Sequence, residues 1–272
     1  MKIKKLKIID FCGFSATEID FRDFSILIGP NGIGKTTILN AISLLTSQLS
    51  FPDQSRLKSF LRKNIRNIDE QGAAKGFRLE SVFEHEGKEL NVVLTENGFE
   101  KNEVVEQPWY WYGVTYFAKF DSEMVHFQLR ENAWPMFSEA FEAITGWPVE
   151  PDILYETRLK ENIVVGFFMQ KPGSRVSSRK ASAGEKKIAK SLSQIFNLED
   201  NRQPDIILVD NLEMHAHYKR HIKMFEKLRE LFAHKQVIST THSLSVIENY
   251  QPREDVMDVE QKMIEGIIFK GE

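Results

Sequence analysis

The 272-residue chain contains a single cysteine, Cys12. A disulfide framework within the chain is thereby excluded, and a reducing, cytoplasmic setting is expected. No apolar run approaches the roughly 20 residues needed to span a bilayer, so no membrane helix is expected. The opening MKIKKLKIIDF is cationic, but lysines interrupt its apolar residues and leave no core for a signal peptide. It reads as a strand. Nor does one sign of charge dominate: 36 Lys and Arg against 39 Asp and Glu leave a net charge of −3. That excludes a uniformly basic nucleic-acid coat, though not a local basic groove. Repeats, sustained heptads and low-complexity tracts are also lacking, which argues against solenoids and long coiled coils. What is present, 42% hydrophobic and 28% charged residues, suffices for a well-buried globular core.

Strands are expected at 3–9 and 25–28, the second running through a glycine-rich loop into a helix from Lys35. Ile38, Leu39, Ile42 and Leu45 recur on that helix with a helical rather than an alternating period. Segments 77–98 and 153–170 alternate apolar and polar residues around EGK and KEN, the pattern of two hairpins. A strand is expected within WYWYGVTYFAKF (109–120), and a helix over 136–148 stopped by Gly146 and Pro148. After a basic loop, a helix follows with Ile188, Leu192, Ile195 and Phe196 inward. Strand 206–209, helix 217–232, strand 236–240 and helix 243–249 then alternate as in an α/β sheet.

GPNGIGKT (29–36) fits G-x-x-x-x-G-K-[ST] between a strand and a helix, the context this phosphate-binding motif requires. Gly29, Gly32 and Gly34 let backbone N–H groups crowd around phosphate oxygens, and the helix N-terminus adds partial positive charge. Lys35 reaches the β- and γ-phosphates and Thr36 offers a hydroxyl to magnesium, while Asn31 and Thr37 complete the nucleotide-binding stretch. IILVD (206–210) ends a buried strand in Asp210, the companion acid for magnesium. ATP and Mg²⁺ are the expected ligands.

ASAGEKK (181–187) at a helix start selects among phosphate-loop proteins. Here the chain resembles the ABC-type ATPases of the SMC, RecF, RecN and OLD kind, whose signature motif is matched by Ser182, Gly184 and Glu185, with Ala183 replacing its first glycine. Read alone, the same residues form an ordinary capping box, and the two readings are compatible. The resemblance extends to IIDFCGFSATEIDFRDF before the glycine loop, to LVDNLEMHAHYKRH, and to STTHS. In LVDNLEMHAHYKRH, Asn211 stands where the family has a catalytic glutamate and Leu212 where it has proline, while Glu213 and His215 are kept. In STTHS, His242 is the switch residue that the resemblance brings to the γ-phosphate. No glutamine loop matches well. Gln128 in MVHFQ is the candidate on the magnesium side, with a surface glutamine as the alternative.

The resemblance implies an α/β P-loop ABC-ATPase head with a mixed central sheet, flanking helices and an antiparallel β/helical insert. Residues 1–50 and 183–272 are expected to form the nucleotide-binding core, and 51–182 an insert lobe ending at the signature. It further implies a homodimer closing around sandwiched ATP, the signature of one chain capping nucleotide held by the other, with DNA repair or phage defence as the setting. About thirty residues follow strand 236–240, too few for another catalytic domain, so a separately encoded nuclease or toxin effector is an expected partner. Asn211, Glu213 and His242 are the candidates for the catalytic step. With Asn211 at the base position, a non-hydrolysing regulatory subunit is the serious alternative, and a transporter cassette a weaker one.

Other features have bland explanations beside the functional ones. His215, His217 and His221 could space a metal on one helix, but the resemblance accounts for the first two. WYWY (109–112) reads as strand packing before base stacking. On helix 54–68, Arg56, Lys58, Arg62, Lys63 and Arg66 form an arc without an acid, a contact for DNA or an acidic partner, or a solvated face. Arg175 and Arg179 precede the signature and suit DNA, phosphate or a partner subunit.

Overall fold

The computed structural model describes residues 1–50, 57, 76–104, 115–118, 127–130, 133–156, 162–196, 205–213 and 217–260. The basic arc of 54–68, the WYWY cluster and His215 lie outside these residues.

A central parallel sheet carries the molecule. Its order is β14-β3-β13-β12-β7, formed by β3 (Phe24–Ile28), β7 (Thr115–Ala118), β12 (Ile206–Val209), β13 (Gln236–Thr240) and β14 (Val256–Asp258). Every pairing is parallel. β3, β12 and β13 are buried at every residue, as expected of strands covered on both faces. In such sheets ligands bind beyond the carboxyl ends of the strands. Those ends lead here to Gly29, Asp210 and Thr241.

A second sheet is antiparallel, in the order β2-β1-β4-β5-β6, from β1 (Lys2–Phe11), β2 (Phe14–Asp20), β4 (Arg78–His85), β5 (Lys88–Thr95) and β6 (Gly98–Asn102). Its turns at Cys12-Gly13 and Glu86-Gly87 put both central residues at positive φ (48° and 96°, 50° and 76°), the form that suits two-residue hairpins. Helix α1 (Lys35–Ser50) lies between the two sheets. Its Ile38, Leu39, Ile42 and Leu45 share one core with Leu6, Leu79 and Leu94 of the antiparallel sheet and Leu208 and Ile238 of the parallel one. Gln236, 1% exposed, ties the sheets together at the backbone. Its Oε1 accepts from Ile3 N at 2.7 Å, and its Nε2 donates to Ile3 O at 2.8 Å and Arg22 O at 3.0 Å.

On the far face of the central sheet lie α2 (Trp134–Thr145), α3 (Ala183–Phe196), α4 (His221–Leu231) and α5 (Leu244–Asn249), sharing a second core. Beside them β10 (Asn162–Lys171) pairs antiparallel with β8 (Phe127–Arg130), β9 (Val149–Glu156) and β11 (Ser174–Ser177). Gly146 ends α2 in the left-handed region at φ 77°, donating to Glu142 O at 2.7 Å.

Several elements differ from the sequence expectation. The strand expected over 109–120 is described at Thr115–Ala118, and it pairs with β12 inside the central sheet. The interval 51–182 therefore contributes a strand to the central sheet. The helix expected over 217–232 begins as a 3₁₀ turn, Tyr218–Arg220, before α4. Strands β2, β6, β8, β11 and β14 had no separate signal. Each is ordered by its neighbour: β2, β6, β8 and β11 by antiparallel partners, β14 by β3. Among the described residues no helix is long and apolar enough to cross a membrane.

Candidate nucleotide site

The glycine loop links β3 to α1, with Gly29, Gly32 and Gly34 at φ 141°, 80° and 107°. At Gly34 the requirement is double. A Cβ there would stand 2.5 Å from two ring carbons of Phe14, a residue 1% exposed at the start of β2. Phe14, the second phenylalanine of FCGF, thus packs against the loop from the antiparallel sheet.

Lys35, 4% exposed, opens α1. Its Nζ donates to Gly29 O at 2.6 Å and Pro30 O at 2.8 Å and lies 3.2 Å from His242 Nδ1. Burial lowers its pKa, with Asp210 and Glu213 pulling the other way. Burial, then the charge of Lys35, also lowers that of His242. A neutral His242 that accepts from Lys35 at Nδ1 carries its proton on Nε2.

Thr36 Oγ1 donates to both oxygens of Asp210 at 3.1 Å. Thr240, at the end of β13, donates to Asp210 Oδ1 at 2.6 Å and accepts from Asn211 N at 3.0 Å. One threonine hydroxyl therefore fixes the acid and the residue after it. Asn211 sits at φ 53°, a left-handed conformation that asparagine tolerates better than most residues. Hydroxyl and carboxylate side by side are the hard oxygen donors that Mg²⁺ prefers, so Thr36 and Asp210 fit that ion. Glu213, 6% exposed, accepts at Oε1 from Thr241 Oγ1 at 2.6 Å and from His242 N at 2.8 Å.

Lys35, Thr36, Asp210, Asn211, Glu213 and His242 are thus drawn together from β3–α1, β12 and β13. Asn31 is exposed and Thr37 half-buried in the first turn beyond the loop. Gln128 falls within β8, and its side chain lies outside the described features. Thr240 and Thr241 were missed from sequence as individual residues. Their only signal was membership of STTHS beside a histidine already chosen.

The signature residues form a separate cluster. Ser182 N and Oγ donate to Glu185 Oε2 at 2.8 and 2.9 Å, and Glu185 N returns a bond to Ser182 Oγ at 3.3 Å, a reciprocal cap on α3. Lys171 Nζ donates to Glu185 Oε1 at 2.8 Å and lies over the Trp147 ring at 5.4 Å, while Arg220 lies over the same ring at 5.7 Å. Burial raises the pKa of Glu185, and the bonds from Lys171 and Ser182 outweigh it, leaving the carboxyl below its usual range. Gly184 is buried. Arg175 packs on Phe168 at 3.8 Å and pairs with Glu150 at 3.0 Å, while Arg179 is exposed. His221 Nδ1 contacts Ser243 Oγ at 2.7 Å, and His217 Nδ1 accepts from Lys219 N at 3.4 Å.

Residues 1–108 match the family model of the AAA ATPase domain. The chain is 51% identical over 43 residues to the DNA double-strand break repair Rad50 ATPase of Methanopyrus kandleri; that segment spans 15% of this chain and 5% of the archaeal protein. In three dimensions it is similar to the SMC head domain from Thermotoga maritima (TM-score 0.57, 18% identity, 92% of this chain and 93% of that one). It is also similar to the Smc head domain with an extended coiled coil bound to the C-terminal domain of ScpA, from Pyrococcus furiosus (TM-score 0.60, 13% identity, 99% of each chain). The fold is that of a P-loop ABC-type ATPase head of the SMC kind.

Proposed function

We propose that the protein binds ATP with Mg²⁺, closes on a second copy of itself around the nucleotide, and uses that closure to control DNA or a partner protein. The observation that carries the reading is the convergence of Lys35, the Thr36–Asp210–Thr240 chain and His242 at the carboxyl edge of the parallel sheet. The glycine loop, the α1 N-terminus and Lys35 bind the phosphates, with Lys35 exchanging its carbonyl partners for phosphate oxygens. Thr36 and Asp210 would hold Mg²⁺, which would supply neutralisation of phosphate charge. Asn211 orients water through its side-chain carbonyl, and His242 Nε2–H faces the terminal phosphate. The α3 N-terminus with Ser182 serves the nucleotide of the opposite copy. DNA as ligand rests on the matched repair ATPase and on exposed Arg179 beside the signature.

Sedimentation with Mg²⁺ and a non-hydrolysable ATP analogue tests this reading. The wild type becomes a dimer, while Ser182→Arg binds analogue yet stays monomeric. A wild type that holds nucleotide and remains monomeric overturns the sandwich. A second reading, a nucleotide-held switch that does not hydrolyse, is favoured by Asn211, whose amide cannot take a proton from water. Single-turnover assays with and without DNA decide between the two.

A further inference from the structure

Glu213 is a buried carboxylate whose geometry does not suit a base. Oε1 is already engaged by Thr241 Oγ1 at 2.6 Å and His242 N at 2.8 Å. Oε2 is sealed from solvent and has no hydrogen-bond partner among the described residues. A general base needs an oxygen free to take a proton; here one oxygen already accepts two hydrogen bonds and the other is sealed from solvent.

We infer that Glu213 is a positioning residue: from the turn after β12 it fixes the backbone of His242 at the end of β13, and with it the ring that faces Lys35. The inference rests on the ATPase reading above. Two charge-assisted bonds in a buried setting are stronger and more directional than their exposed equivalents. They act on the one segment between Thr240, which holds Asp210, and Ser243, whose hydroxyl accepts from Val246 N at the start of α5. Without Glu213 the metal-side chain Thr36–Asp210–Thr240 keeps its bonds, and so does the glycine loop. What loosens is the register of His242 against Lys35, the pair that meets the terminal phosphate. Glu213 therefore acts on discrimination between triphosphate and diphosphate, and leaves the grip on the diphosphate portion alone.

The test measures binding of a non-hydrolysable ATP analogue and of ADP, each with Mg²⁺, to the full chain. Glu213→Ala is expected to lower the analogue-over-ADP preference about tenfold, the order of one charge-assisted hydrogen bond, with ADP affinity changed less than about twofold. Glu213→Gln, whose amide oxygen accepts the same two bonds, restores the preference to within about threefold of wild type. Combining Glu213→Ala with His242→Ala costs no more preference than His242→Ala alone, as expected of residues acting through one another. If Glu213→Ala does not fold, Glu213→Asp, one methylene too short, takes its place. Equal losses for analogue and ADP make the residue merely structural and overturn the inference. So does an unchanged preference with hydrolysis abolished in both Ala and Gln variants, which marks a base. A wild type that binds neither nucleotide sinks the ATPase reading itself, and this inference with it.

Discussion

Lys35 Nζ and His242 Nδ1 face each other at 3.2 Å across 207 residues of sequence. The contact joins the start of α1 to the end of β13, so the glycine-loop lysine and the histidine of STTHS sit in one cluster. Burial, and then the lysine charge beside it, lower the His242 pKa. Its titration reports whether the pair is assembled.

The sign of the pH effect follows. With its folded pKa lowered from 6.5 by burial and by Lys35, His242 contributes stability that is present above 6.5 and lost as pH falls toward the lowered value. Lys35→Met removes the repulsion, while Asp210 and Glu213 still favour the charged ring. NMR titration should find the His242 pKa higher in Lys35→Met than in wild type. An unchanged midpoint would mean that the lysine does not reach the ring.

Gly34→Ala should be severe. The new methyl meets Phe14 at 2.5 Å, and the backbone is at φ 107°. Overpacking costs about 1–3 kcal/mol, and the disfavoured backbone roughly 1–2 kcal/mol more. Adding Phe14→Leu should recover part of the first loss and none of the second. Urea midpoints of the single and double variants measure both.

Asn211→Glu tests the catalytic step. In the proposed ATPase, a glutamate base at position 211 is worth roughly 10²–10⁴-fold in rate, read in single-turnover hydrolysis. At φ 53° the glutamate also meets a backbone cost of roughly 1 kcal/mol that asparagine largely escapes. Faster hydrolysis with a lower melting temperature is the expected pair of outcomes. No acceleration would place the limiting step away from Asn211.

Lys171→Met should leave Glu185, 7% exposed, without its cation. The Glu185 pKa should rise, and stability should fall by about 1–3 kcal/mol at neutral pH, the cost of a buried group losing a charged partner. Because the folded pKa is lowered in wild type, the lost stabilisation belongs to pH above 4.5 and fades as pH falls through the lowered value. Denaturant curves at neutral and acid pH should converge. Parallel curves would show that Lys171 matters only through its contact with Trp147.

Local spacing was enough to determine the glycine loop, the strand ending in Asp210, the two hairpins and the capping box of α3. Each depends on residues within a few positions of one another, where backbone geometry and chemistry are set by near neighbours. Tertiary structure alone decided which loops meet. That β7 joins the central sheet, that Phe14 seals Gly34 and that Gln236 pins Ile3 depend on contacts over long separations, the last across 233 residues. Thr240 on Asp210 and Glu213 on His242 likewise depend on the parallel register of β12 and β13, Val209 opposite Ser239. No local pattern encodes that register. It is imposed by burying both strands on both faces, and only then do Thr240 and Thr241 meet Asp210 and Glu213.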